Sequence, residues 1–160
     1  MRQERIKVDD TLPDFILKDH HGTPLHSAEL KGKKVLLSFH PLAWTRICAK
    51  QMQSLEHNAE QFTKLNTVAL GLSVDAVPSK HAWVEHELKL KQTRLLSDFW
   101  PHGGVAQKLG IFRHEDGFSE RANIIVDEQQ KVIFVKVYDI SQVPDIDEIA
   151  EFLKKREEKQ

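Results

Sequence analysis

Two short apolar runs, residues 35–39 (Val-Leu-Leu-Ser-Phe) and 67–74, flank a stretch in which Ile47, Met52, Leu55, Ala59, Phe62 and Leu65 recur at intervals of three to five. Runs of this kind are strands buried on both faces, and the stretch between them has helical spacing. A strand, a helix and a second buried strand in that order demand a sheet with helices packed against it. Pro41 ends the first strand, because proline cannot donate to a central ladder. Thr45 is placed to cap the helix that follows, which puts Cys48 in its first turn.

The rest of the chain extends the pattern. Phe15, Leu17 and Leu25 flank a Gly/Pro-containing connection and predict an N-terminal β-hairpin. An amphipathic helix is expected over residues 79–90, a short helical turn over 105–109, strands over 121–126 and 132–138, and a closing helix over 146–155. The four residues 127–130 between the last two strands predict an antiparallel pair, and the charged run 154–159 reads as a solvated, fraying end. No repeat or Pro/Gly/Ser linker divides the sequence, so residues 1–160 are expected to form one domain. The fold class expected is α/β: a central mixed β-sheet flanked by helices, in the thioredoxin-like arrangement.

Composition narrows the chemistry. With 23 Lys and Arg against 24 Asp and Glu, the net charge of -1 offers no basic field for phosphates, so nucleic acid is not an expected partner. The single cysteine removes an internal disulfide, a four-cysteine zinc site and a dithiol motif. No run approaches the ~18 apolar residues of a membrane span, and the N-terminus lacks the basic and then apolar pattern of a secretory signal. A reducing compartment, the cytoplasm, is therefore the expected setting. The nine histidines do not form a ligand pattern: His81 and His86 are expected on different helix faces, and His20 and His21 on opposite sides of a strand. Neither a metal nor a cofactor is expected. Gly103-Gly104 lacks the setting of a nucleotide loop and reads as a turn.

A lone cysteine is more often a small buried hydrophobe than a reagent. Its neighbours change that reading. The junction of strand and helix carries Pro41-x-x-x-Thr45-x-x-Cys48, the segment Leu95-Leu96-Ser97-Asp98-Phe99-Trp100-Pro101-His102-Gly103 follows later, and Arg121 opens a strand. This set resembles the peroxiredoxins, thiol peroxidases with a thioredoxin-like fold, and is most similar to the one-cysteine alkyl hydroperoxide reductase E type. The likeness runs from about Asp14 to Leu153. It implies a thiol-dependent peroxidase in which Cys48 reduces hydrogen peroxide or an organic hydroperoxide, becomes a sulfenic acid, and is recycled by an external thiol. The catalytic set implied is Cys48, Thr45, Pro41 and Arg121. Most members carry a glutamate three residues after the cysteine; Gln51 stands there instead, able to orient Arg121 but not to balance its charge.

The chemistry asks for the same residue types. Peroxide cleavage needs a thiolate, cations or N–H dipoles for the developing charge, and dryness. A helix N-terminus and Arg121 supply the first two to Cys48, the Thr45 hydroxyl can hold the peroxide, and the ring of Pro41 can cover the sulfur. Thiol acidity alone is insufficient. Lowering a thiol pKa from about 8.5 to about 6 raises its thiolate fraction at pH 7 some thirtyfold, roughly, but nucleophilicity falls about tenfold over the same range. Most of the rate must come from positioning and charge stabilisation. Arg46 is expected either in the site or in solvent. His40 is expected either to hydrogen-bond near the cysteine or to fill a strand end. Two rival functions are a peroxide sensor and a redox-inactive binding or chaperone protein. A homodimer is expected, with Trp44, Phe99 and Trp100 supplying aromatic contact surface.

Overall fold

The computed structural model describes residues 3–159. Its seven-stranded sheet has the order β2-β1-β5-β4-β3-β8-β9. The strands are β1 (Ile16–Asp19), β2 (Pro24–His26), β3 (Lys34–Phe39), β4 (Thr67–Ser73), β5 (Arg94–Ser97), β8 (Arg121–Val126) and β9 (Val132–Tyr138). A separate two-residue ladder joins β6 (Phe112–Arg113) to β7 (Phe118–Ser119). β3, β4 and β5 run parallel, joined by helical crossovers as parallel neighbours must be, while the hairpins at both ends make the sheet mixed.

The two-residue side-chain period sorts the central strands into two cores. Val35, Leu37 and Phe39 of β3, Leu70 and Leu72 of β4, and Ile124 and Val126 of β8 face one layer, with Phe15, Val105 and Leu109. Leu36, Leu95 and Ile125 face the other, against Cys48, Met52, Leu55, Trp83, Ile149 and Leu153. That second layer is built by α1 (Arg46–His57), α2 (Ala59–Lys64), α3 (Val77–Trp83) and α5 (Ile146–Glu158); α4 (Gly104–Lys108) completes the helices. The same parity places Ser38, Ser73, Arg121 and Asn123 on the α1 side.

Several boundaries differ from the sequence expectation. The helix expected over 47–65 breaks at Asn58 into α1 and α2. The helix expected over 79–90 begins at Val77, widens into a π-turn over Val84–Leu88 and stops at Lys89, whose φ is +56°. α5 runs on to Glu158 because its charged end has partners: the buried Lys34 ammonium donates to Glu157 at 2.6 Å. His20 and His21 lie in the β1–β2 turn, not in a strand, with ring centroids 4.2 Å apart, because Asp19 Oδ1 accepts from the His21 and Thr23 N–H groups.

Candidate active site

Cys48 is the third residue of α1, where backbone N–H groups lack helical partners and the dipole favours negative charge. It is 1 % exposed. Arg121, first residue of β8 and on the α1 side of the sheet, brings its Nη1 to 3.3 Å from Cys48 Sγ, so the two residues are in contact across 73 positions of chain. The same Nη1 donates to Gln51 Oε1 at 2.7 Å. Arg121 Nε and Nη2 both donate to the Ile140 carbonyl, at 3.1 and 2.9 Å. The guanidinium is thus held at both ends, by a side chain of α1 and by the backbone after β9.

Gln51 is oriented in turn. Its amide nitrogen donates to Ser38 Oγ at 2.8 Å and to the Phe39 carbonyl at 3.1 Å. Ser38 Oγ donates to Asn123 Oδ1 at 2.7 Å, and Asn123 Nδ2 donates to the Tyr138 hydroxyl at 3.3 Å. This buried chain ties α1 to β3, β8 and β9. Desolvation leads in raising the Tyr138 pKa well above the usual tyrosine value, and its donation to Glu148 at 3.1 Å acts in the same direction.

Pro41 is buried just past the end of β3, and Thr45 is exposed at the start of α1; neither hydrogen-bonds to Cys48 or Arg121 among the described residues. Thr45 occupies the N-cap position, but its hydroxyl does not cap the helix and donates instead to the Leu42 carbonyl at 3.0 Å. The turn between them is strained: Trp44 has φ +68°, a left-handed conformation unfavourable for an aromatic residue. Three bonds hold it there. Besides the Thr45 bond, the Ala43 N–H donates to Asp75 Oδ2 at 2.8 Å and Trp44 Nε1 donates to Ser79 Oγ at 3.2 Å.

Arg46 is exposed and turns to solvent. His40 is fully buried 5.6 Å from the Trp83 ring, and neither ring nitrogen has a hydrogen-bond partner among the described residues. Burial, then the charge of Lys80, hold its pKa well below 6.5 with help from Arg121; the Ser38 backbone pulls the other way without a bond of ordinary geometry. The ring is neutral. Sequence reasoning missed Lys80, Ser73 and Asp75 behind the turn. Lys80 stands three residues before Trp83, on the same helical face, and a lysine on an apolar stripe was the available signal.

A reduced thiol at a helix N-terminus, pressed against an anchored guanidinium on a thioredoxin-like mixed sheet, defines the class of thiol peroxidases. The relatives agree, and the chain belongs to the AhpC/TSA family, which matches residues 8–135. It is 33% identical over 141 residues to alkyl hydroperoxide reductase E of Mycobacterium tuberculosis, covering 88% of this chain and 91% of that protein. A peroxiredoxin of Ignicoccus hospitalis is 33% identical over 152 residues, covering 92% of this chain and 64% of that protein. The fold matches the crystal structure of Enterococcus faecalis AhpC with a TM-score of 0.88 at 19% identity, covering 94% of this chain and 92% of the other. The protein is a peroxiredoxin, a thiol-dependent peroxidase, and its single cysteine fits the one-cysteine type. Neither the sensor nor the redox-inactive binding reading is favoured. No helix among the described residues is long and apolar enough to cross a membrane.

Proposed function

We propose that Cys48 is the peroxidatic residue and that Arg121, Thr45 and Pro41 assist it. The thiolate of Cys48 attacks one peroxide oxygen, the O–O bond breaks, and the other oxygen leaves as hydroxide or alkoxide and takes up a proton. Cys48 is left as sulfenic acid and the peroxide is reduced by two electrons. The observation that carries this reading is the 3.3 Å contact between Arg121 Nη1 and Cys48 Sγ at the N-terminus of α1. A fixed cation there stabilises the thiolate and the charge passing to the oxygens. The one proton of Thr45 is committed to Leu42, so toward a peroxide its oxygen acts as acceptor. Pro41 has no N–H and shields the sulfur from water.

Recycling falls to an external thiol, because the sulfenate has no second cysteine in this sequence. A low-molecular-weight thiol or a thioredoxin-type protein would form a mixed disulfide with Cys48, and a second thiolate would release it. A reducing compartment such as the cytoplasm supplies these. A homodimer is supported by the aromatic surface beside the turn: Trp44 is 48 % exposed and Trp100 80 %. Phe99 and Trp100 line a groove of about 520 Å³ with Ile16, Val77 and Pro78.

Substitution tests the assignment. Cys48→Ser is expected to abolish peroxide consumption with the fold intact by circular dichroism, since a serine hydroxyl is a poor nucleophile at neutral pH. Activity near wild type would sink it. Arg121→Ala and Thr45→Val are expected to lower the peroxide rate constant steeply, with Thr45→Val sparing alkylation by iodoacetamide.

A further inference from the structure

Behind the strained turn lies a polar cluster that the chemistry described so far does not use. Lys80, on α3, has no exposed surface, and its ammonium donates to Ser73 Oγ at the end of β4. Ser73 Oγ donates to Asp75 Oδ2 at 2.6 Å, and that same oxygen accepts the Ala43 N–H at 2.8 Å. Ser97 adds a further tie, donating to the Asp75 carbonyl at 2.6 Å. The line from Lys80 to Ala43 therefore runs from the helix layer, through Ser73 at the C-terminal end of the central strand β4 and Asp75 just beyond it, into the turn that presents Thr45 and Pro41. A buried ammonium is expensive to hold, and its one hydrogen-bond partner among the described residues is a serine that relays it to a carboxylate.

We propose that Lys80 is a positioning residue for the peroxide-binding turn: across Ser73 it fixes the Asp75 carboxylate, which holds the Ala43 N–H and keeps residues 41–45 in their strained conformation before Cys48. The proposal rests on reading that turn as the peroxide site. It makes the turn sensitive to the charge of Lys80. Lys80 is faced by Asp75 after β4, Asp98 after β5, Cys48 on α1, His40 after β3 and His20 in the β1–β2 turn. Burial pushes its amine down to about 7, while Asp75, Asp98 and Cys48 pull the other way. Above that pH the ammonium loses its proton, and the tether loses its charge.

The test is the ratio of two rate constants for Cys48, with hydrogen peroxide and with iodoacetamide. Both need the thiolate, so its ionisation cancels, and only the peroxide reaction needs the turn. Lys80→Met and Ser73→Ala, each checked for fold by circular dichroism, are expected to lower the ratio about tenfold at pH 6.5, the loss of a turn displaced by a fraction of an ångström where ~1 Å costs about a hundredfold. The double variant should be no worse than either single one, because both cut the same line. In the wild type the ratio should fall between pH 6 and 8; in Lys80→Met it should be flat. A wild-type ratio in Ser73→Ala, or the same pH dependence in Lys80→Met, would overturn the proposal. Failure of the peroxidase reading is a different result, a wild-type protein that consumes no peroxide.

Discussion

Gln51 commits both amide hydrogens inside the protein, to Ser38 Oγ and to the Phe39 carbonyl, so its own oxygen has one place to go, the Arg121 guanidinium. A glutamate there would turn an oxygen toward the Phe39 carbonyl, with both acceptors buried, at a cost of about 1–3 kcal/mol. It would also add a negative charge beside the guanidinium that faces Cys48. Gln51→Glu is thus expected to lower the thermal midpoint and to move the iodoacetamide alkylation curve of Cys48 to higher pH, since a like charge disfavours the thiolate. An alkylation curve superimposable on that of wild type would show that the neutral partner has no bearing on the thiol. The pairing of Cys48 with Arg121 and the hydrogen-bonding role of Gln51 were legible only through the resemblance to the peroxiredoxins, because 73 positions separate Cys48 from Arg121 and no local pattern joins them. The Ile140 anchor was not, since a backbone carbonyl carries no residue signature. Nor was the tether from Lys80, whose members are polar residues on separate elements that meet only after the sheet has formed.

At the scale of elements, Cys48 and Gln51 are placed by how closely α1 approaches the sheet, and Gly71 of β4 sets that approach. A Cβ at Gly71 would lie 2.3 Å from Met52 Sδ and 2.7 Å from Leu95 Cδ2, so both side chains would have to move. Met52 is flexible but has no exposed surface, and little space surrounds it. Gly71→Ala is expected to cost about 1–3 kcal/mol in urea unfolding and to lower the peroxide rate by shifting α1. Wild-type stability would mean that Met52 repacks freely. The buried strands β3, β4 and β8, and the half-buried β9, were readable because apolar runs have few alternatives. β5 was not read, since Arg-Leu-Leu-Ser is four residues long with two polar ends. The break at Asn58 escaped because apolar spacing continues across it. The π-turn after Trp83 escaped because its buried residues, Val84 and Leu88, stand four apart, the spacing an ordinary α-helix also gives.

Across the whole molecule, several buried titratable groups make stability depend on pH; His20 shifts down as His40 does and Asp19 lies below the usual carboxylate range, and His40, Asp98 and Lys80 show how the signs combine. His40 is neutral when folded, with a pKa well below 6.5, so the unfolded chain binds the proton first and stability is lost as pH falls below about 6.5. Asp98 acts oppositely. Burial, outweighing its bonds to the Val105 and Ala106 N–H groups, raises its pKa to about 6, so between 3.8 and about 6 the folded form holds the extra proton and acid favours it. Lys80 falls from 10.5 to about 7, so above that pH the unfolded chain binds more protons and stability rises. From pH 6 to 9 His40 and Lys80 act in the same direction, and at about 1.4 kcal/mol per pH unit for each proton difference the gain is on the order of 2–3 kcal/mol. Urea unfolding is expected to show it, with Lys80→Met flattening the curve above pH 7 and His40→Phe flattening it below. A stability maximum at pH 6 in the wild type would contradict the burial of both groups. The direction opposes that expected for the peroxide reaction, whose ratio to alkylation falls over the same range. The Lys80 charge that the proposed tether requires is one the folded state disfavours, and a protein that keeps it at neutral pH gives up stability to hold its turn in place.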